Sequence, residues 1–598
     1  MTKRGLKLWA GLTLCAAVVG GMQLRQGHNV SQPQRLRMGL GAQPQHLDPA
    51  KCRLRSCYTL NLNLCEPLVA FDQKTLAVIP AAAQRWQVSA DGRTYTFYLR
   101  PQARWWLGKA QPTAAVTAHD FVYAWRRLLN TKAHLPSSDL LLQMGVAHAN
   151  DIEALNAHTL QIRVQTRAHG QRLLRLAASP ALCPLYEPAV AQAAARWAWS
   201  TQRPINGPYM LQQHVVQSHF LLKKNPVYWN QAQVAIEEAL LYVRGTQASR
   251  WQALLTKTPA ARLTCLASAV KQLSLRSVWH QGLRETLFSP ATLGCYAAMD
   301  WAFTDNPVHL LNRYQSSAAQ QQIDWLGPHT SVPNYVLQQW KHTTDYRLNR
   351  RAATYHYWFQ TQKPPLDNPQ VRQALCHSID RQAVVQQAAA GMAQPLHGFF
   401  PNFPGSYRAL SAQEGIAFNP RKARALLAQA GFAHGAGFPT LTLSYNQGYE
   451  HAAVAKAVAR MWRNHLGIDV QLAGKPSPLF FKQRHQGQFD IARGGWMQTL
   501  TKQPDTFALL YTKQSAFNDS QWADPSGQLD ALTQQALATA NPSQAQRLYR
   551  QIESILLQHL PACPIYTPHK PDLVKPHVQG YFANAANYHP IAQLRLSN

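Results

Sequence analysis

An α/β fold of two or three lobes is predicted from three features: alternating strand and helix patterns, a length of 598 residues, and a hydrophobic content of 46% that can supply more than one core. The alternation is clearest from residue 441 onward. Leu441-Thr442-Leu443-Ser444-Tyr445 alternates as a strand does, and Val454, Val458, Met461 and Trp462 then recur at helical spacing between His451 and His465. Gly467 stops that helix, and 468–472 reads as the next strand. Strand, helix and strand in this order form a βαβ unit, whose two strands run parallel because the helix carries the chain back. Ser477-Pro478 caps a further helix through Arg484, and 489–492 is a third strand ending at Arg493. In open sheets of this kind ligands bind beyond the carboxyl ends of the strands, which places Arg493 where a ligand is met.

Other helix starts are equally legible. Asn368-Pro369 opens a segment from Gln370 to about Gln387, and Asn419-Pro420 opens RKARALLAQA, which Gly431 closes. Asn at the cap satisfies an orphan amide, and Pro at the first helical position removes an amide that had no partner. No run of eighteen apolar residues follows the first thirty positions, so the body reads as water-soluble. The N-terminus differs. Lys3, Arg4 and Lys7 precede an uncharged stretch from Leu8 to Gly21, the layout of an export signal. Cys15 lies within the apolar stretch behind Leu14, a context that does not suit lipoprotein cleavage. The segment is expected to be cleaved near Gly21 or to remain as an N-terminal anchor.

Lys and Arg number 59 against 28 Asp and Glu, a formal net charge of +31. The basic residues are dispersed and carry no nucleic-acid-binding signature, so no nucleic-acid partner is expected. A dispersed positive surface favours acidic ligands and a weak attraction to anionic membrane surfaces. Beyond Cys15 eight cysteines remain, and in an oxidising compartment Cys52 and Cys57 are spaced to close a short loop. Cys65, in LNLCEPLV, and Cys376, in a helical pattern, read as buried free thiols. No Cys or His cluster has zinc spacing, so neither a metal nor another cofactor is expected. The GxSxG, HExxH and GxxxxGK patterns are missing as well, which argues against an enzyme.

Seven stretches resemble the oligopeptide-binding proteins of ABC importers, the peptide and nickel type of solute-binding protein family 5. They are LRMGLGAQPQHLDP (36–49), IPAAAQRWQVSADGRTYTFYLRPQARWW (79–106), VTAHDFVYAWRRLL (116–129), NGPYMLQQHVVQSHFLLKKNPVYWN (206–230), TQKPPLDNPQVRQALCHSIDRQAVV (361–385), NPRKARALLAQAGF (419–432) and RHQGQFDIARGGW (484–496). They keep the family's order. The resemblance implies a three-lobed periplasmic solute-binding protein fold of the large peptide-binding type, with mixed sheets flanked by helices. It implies a signal peptide at 1–30, a discontinuous first lobe at 31–75, 201–352 and 564–598, a second lobe at 76–200 and a third at 353–563. Residues 255–305 look inserted relative to that family, and Cys265 and Cys295 are placed to pair within them.

A receptor tolerant of many peptide sequences has to grip what all peptides share, namely the ammonium, the carboxylate and the backbone amides. By resemblance, Arg484, Arg493 and His451 meet the carboxylate, a role that suits the paired hydrogen bonds of a guanidinium. Trp496 marks the other end of the site. In the family an aspartate three residues after that tryptophan pairs with the peptide's amino group. Here the position is Thr499, in a segment one residue longer that has gained Lys502. A threonine hydroxyl accepts a hydrogen bond but does not neutralise a buried ammonium, whose uncompensated desolvation costs several kcal/mol. The expected ligand is therefore an atypical oligopeptide or a carboxylate-bearing, peptide-like molecule, unless Asp505 or another acid supplies the missing charge. The expected function is that of a monomeric periplasmic receptor that closes its lobes on this ligand and delivers it to the permease subunits of an ABC importer. The alternative is a transport-independent envelope-binding or sensing protein on the same fold.

Overall fold

The computed structural model of the chain describes residues 34–244 and 309–597, apart from 45, 53–54, 109–112, 130–139, 142–143, 217, 318–321, 330–331, 333, 390, 404–405, 448, 498–502, 514, 516 and 540. The export signal at 1–30, the insertion at 255–305 with Cys265 and Cys295, and Thr499 with Lys502 lie outside the described residues.

The chain opens on β1 (Arg35–Ala42) and helix α1 (Arg55–Leu64). It then builds an antiparallel sheet from β2 (Ala83–Val88), β3 (Thr94–Leu99), β4 (Ile152–Asn156) and β5 (Thr159–Arg163), in the spatial order β2-β3-β5-β4. The alternating sequence of β3 decides its sidedness: Tyr95, Phe97 and Leu99 are buried and the residues between them partly open. Helix α2 (Arg167–Leu176) follows, its first turn capped by the Thr166 hydroxyl, which accepts from the His169 amide. Next β6 (Tyr209–Val215), β7 (His219–Lys224) and β8 (Glu238–Arg244) form a meander, and β1 completes it by pairing parallel to β8. One hydrophobic core serves both sheets, running from Leu36, Met38 and Phe97 to Ile591 and Leu594 near the C-terminus.

The third sheet is larger and mixed. It comprises β9 (Tyr346–Arg350), β10 (Ala353–Phe359), β11 (Ala393–Pro395), β12 (Leu441–Asn446), β13 (Val470–Lys475), β14 (Ile491–Met497) and β15 (Ala562–Leu573). The order is β9-β15-β10-β14-β12-β13, with β11 also on β15. The expected βαβ unit is present: β12 and β13 are parallel and joined by the helix Tyr449–Leu466, whose Val454, Val458 and Trp462 are fully buried. Two boundaries differ from the sequence reading. The helix expected from Gln370 to Gln387 is broken into Pro369–His377 and Arg381–Gln387, because the Asp380 carboxylate accepts from the Ala383 amide and starts a new helix. The third strand runs on to Met497, so Arg493 lies inside β14 and not at its end. Pairing with β10, antiparallel from Ala353 to Phe359, keeps it extended.

β15 joins the cores. Its first half pairs with β10, and its second half, from His569 to Leu573, pairs with β9. The third sheet therefore reaches back to Tyr346 and forward to Leu573, past both ends of the span 353–563 expected for the third lobe. Its core is built on Tyr357, Trp358, Trp462 and Ile552. A smaller cluster with Tyr242, Leu311, Leu326 and Leu573 lies where β15 meets the body of β8. Among the described residues no helix is long and apolar enough to cross a membrane.

Cys52 is joined to Cys57. Cys65 and Cys376, read as free thiols, are instead paired with Cys183 and Cys563. Their partners lie 118 and 187 residues away, separations that only the tertiary fold closes. Glu66, next to Cys65, is buried; its carboxylate accepts from the Tyr228 hydroxyl at 2.5 Å and from the Trp229 indole at 2.8 Å. Burial outweighs those hydrogen bonds and the nearby Arg100, and pushes the carboxyl up to about 7. An acid raised in the folded state contributes stability fully below its unfolded value, and that contribution fades as pH rises through the folded value. Glu66→Gln should therefore flatten the loss of stability between about pH 5 and pH 8, by on the order of 3 kcal/mol. Urea midpoints of the two proteins across that range measure the difference; parallel curves would contradict the assignment.

Candidate ligand-binding site

β10 lies between β14 and β15, and all 7 of its residues are buried. Alternation sends Tyr355 and Tyr357 to one face and Thr354, His356 and Trp358 to the other. Arg493 pairs with Tyr357 in the register, so its side chain rises on the tyrosine face. The guanidinium lies 5.0 Å from the ring centre of Tyr355. Tyr355 in turn stacks on Tyr566 of β15 at 4.6 Å and meets the His451 ring at 5.7 Å. His451 and Glu450 come from the first turn of the helix Tyr449–Leu466, just beyond the carboxyl end of β12. The Tyr566 hydroxyl donates to Glu450 Oε1 at 3.1 Å.

The electrostatics of this face are unbalanced. Arg493 makes no ion pair among the described residues, and its Nε is buried without a hydrogen-bond partner. His451 Nδ1 is also unpartnered, and burial together with Arg493 pushes the imidazole down to about 2, so it is neutral. Burial drives the Tyr355 phenol up to about 12 against the opposing pull of Arg493. Burial likewise raises Glu450, opposed by the Tyr566 hydrogen bond and by Arg493. A buried polar atom left without a partner costs about 1–3 kcal/mol, and more when it is charged. A carboxylate set against Arg493 and a donating His451 would satisfy both.

The structure divides the residues expected in the site. Arg493 and His451 share the tyrosine face. Arg484, from the helix Ser477–His485, is held by Asp519, its Nε 2.6 Å from Oδ2, while His485 takes the other carboxylate oxygen at 2.8 Å. Arg484 also donates to the Arg493 carbonyl at 3.2 Å. Trp496 is opposite Thr354, hence on the far face, where its indole donates to Thr506 at 2.8 Å and its ring packs on Phe517. Thr499 lies outside the described residues. Gly494 of the RGG run is required by space, since a Cβ there would come within 2.2 Å of His356 Nε2. Asp505 opens the helix Asp505–Leu509 and is fully engaged: Arg172 of α2 sits 3.1 Å from one oxygen, and the Tyr549 hydroxyl donates to the other at 2.5 Å. Sequence reasoning missed Tyr355, Tyr357, Tyr566 and Glu450. The alternating aromatics of Tyr355-His356-Tyr357-Trp358, just before the KPPLDNP run, were the available signal. A separate groove of about 500 Å³, lined by Glu66, Tyr228, Trp229 and Phe582, shares no residue with this site.

Comparison with known proteins agrees with this architecture. The model of the bacterial extracellular solute-binding proteins, family 5 Middle, matches residues 77–269 and 311–519. The periplasmic oligopeptide-binding protein OppA of Salmonella typhimurium is 26% identical over 600 residues, covering 97% of this chain and 96% of OppA. The probable deoxycholate-binding periplasmic protein YgiS of Escherichia coli is 26% identical over 590 residues, covering 96% of this chain and 95% of YgiS. Among solved structures, the Escherichia coli murein tripeptide binding protein MppA is 25% identical and superposes with a TM-score of 0.72, covering 95% of this chain and 99% of that one. With two matched segments that together span more than half of its length, the chain belongs to the bacterial extracellular solute-binding proteins of family 5.

Proposed function

We propose that this protein captures an oligopeptide or peptide-like ligand bearing a carboxylate, outside the cytoplasm, and hands it to the permease subunits of an ABC importer when its lobes close. Its family is one of substrate-binding proteins and not of enzymes. The observation that carries the reading is Arg493, a guanidinium set over the Tyr355 ring with its Nε buried and no ion pair to an acid among the described residues. Such a cation is stabilised inside a protein by an anion with matching hydrogen bonds. A carboxylate is the anion that every free peptide carries at its end, and deoxycholate, named for one relative, carries one as well. The basic leader at Lys3, Arg4 and Lys7 and the periplasmic relatives support location in the periplasm.

Closure is supported by Arg172, which reaches from α2 to Asp505 and to the Leu537 carbonyl, and so ties the body of β2–β5 to that of the third sheet. The same pair bears on ligand choice. Asp505 was the acid nearest in sequence to replace the family's ammonium partner at Thr499, and it is already committed to Arg172 and Tyr549. The ligand is accordingly one without a free amine, either N-blocked or anionic at that end.

Two measurements test this. Titration calorimetry with trialanine and its C-terminal amide on wild type and Arg493→Met should show a carboxylate preference of roughly tenfold or more in wild type that collapses in the variant. The ligand-free variant should unfold no earlier than wild type, because it has lost a guanidinium whose buried Nε had no hydrogen-bond partner. An amide that binds as well as the acid would sink the assignment of Arg493. In the second, trialanine and its N-acetyl form should bind within a few-fold of one another, and a strong preference for the free amine would refute the amine-free ligand.

A further inference from the structure

A second group of cations gathers where β1, β9 and β15 converge. Arg55 begins α1, His329 follows the buried run Leu326-Gly327-Pro328, Arg351 links β9 to β10, Lys570 lies in β15, and His589 comes from the C-terminal segment. Contacts fix the segments of Arg351, His329 and His589, and Arg55 and Lys570 lie near enough for their charges to act on His329. The Pro328 carbonyl accepts from both Arg351, at 3.3 Å, and Asn587, at 2.9 Å. The carbonyl of His329 lies so close to Gly41 of β1 that a Cβ there would approach within 2.7 Å. His589 stacks on Tyr581 at 4.4 Å and meets Trp325 edge-on at 5.6 Å.

The group is rich in positive charge and poor in partners. Its carboxylate, Asp572, is already used by the Trp325 indole at 2.7 Å and by the Leu573 amide. Among the described residues no carboxylate forms an ion pair with Arg55, Arg351 or Lys570. Arg351 Nε, both ring nitrogens of His589 and Asn587 Oδ1 are buried without hydrogen-bond partners, and His589 is only 3% exposed. Burial and the neighbouring cations press His329 well below its ordinary value; burial lowers Lys570 to about 8, with Asp572 opposing and Arg351 assisting.

Other buried arginines of the chain are handled differently. Arg381 donates to the carbonyls of Pro564, Cys376, Ile379 and Ile416, and Arg372 to those of His559, Leu560, Leu366 and Asp367. Arg351 has the single Pro328 carbonyl, and Lys570 has the carbonyl of its own neighbour Pro571. Arg55, His329, Arg351 and Lys570 keep part of their surface open. Lys570 lies four residues beyond Tyr566 on β15, about 13 Å along the strand.

We infer that Arg55, Arg351 and Lys570, with His329 and His589, form a second anion-binding site that takes a carboxylate or phosphate group of the ligand at the end of the cleft where the sheets are joined. This deepens the reading of the chain as a ligand receptor and rests on it for the ligand's identity. Together with Arg493 it selects a ligand with two anionic groups, separated by roughly the length of a short extended peptide.

The test is thermal unfolding of the full chain at low ionic strength with inorganic phosphate, with sodium succinate, and with sodium chloride at matched ionic strength. Phosphate or succinate should raise the wild-type midpoint above the chloride control. Lys570→Met and Arg351→Met should lose more than half of that rise, whereas Lys570→Arg should keep most of it. A rise with phosphate alone assigns the site to phosphate, and a rise with succinate of equal or greater size assigns it to carboxylate. No rise with either salt, or an undiminished rise in Lys570→Met and Arg351→Met, overturns the site. If trialanine still binds in that case, the receptor reading stands without it; a phosphate rise without trialanine binding keeps the anion site and removes the peptide reading.

Discussion

Every backbone group of a buried strand needs a partner, and β15 meets that demand by using two. Its 12 residues pair first with β10 and then with β9, which abuts β10 end to end. The third sheet is fastened to the rest of the protein where β15 ends: the Leu573 carbonyl accepts from the Leu326 amide at 2.9 Å, a backbone bond that no side-chain substitution removes. The same strand supplies Tyr566 to the Arg493 site and Lys570 and Asp572 to the cationic group, so both take their geometry from one extended segment.

The interior chemistry is lopsided in a consistent direction. The net charge of +31 reaches the interior, and several cations there lack acids. Arg372 and Arg381 are quieted by caged carbonyls, which makes them elements of the scaffold. Arg493 lacks any such cage, and its neighbours are aromatic rings and a neutral histidine. A protein stable by about 5–15 kcal/mol tolerates a few unsatisfied groups only if the rest of the fold overdetermines their positions. Here the overdetermination comes from β10, gripped on both sides and buried throughout.

Local physics was legible in the sequence, and long-range pairing was not. The βαβ unit from Leu441 showed in its periodicity, and the Asn caps at Asn368 and Asn419 accept from Gln370 and Lys422 as their motifs imply. The end of β14 was misjudged because it is set by β10, a strand far away in the chain. Cys65 and Cys376 were misjudged for the same reason, as their partners are distant. His451 opens the helix Tyr449–Leu466 just past β12, and Arg493 joins it because pairing with Tyr357 fixes its face of β14. Arg484 and Trp496 carry equally recognisable motifs; Asp519 holds Arg484 beside the Arg493 carbonyl, and strand alternation sets Trp496 opposite Thr354. The tyrosines of β10 escaped notice because a buried tyrosine on a central strand looks like core until the register places an arginine over it.

The Arg172–Asp505 contact has a kinetic side. It spans two bodies, is nearly inaccessible to solvent, and involves no group on the Arg493 face. Separating it exposes both charges, while Asp505 keeps the Tyr549 hydroxyl on its own side. The step of opening would then have a barrier set largely by the protein. In the receptor proposed above, ligands of quite different affinity would leave at rates bounded by one gate, and the dwell time of the loaded form would become a property of the receptor itself.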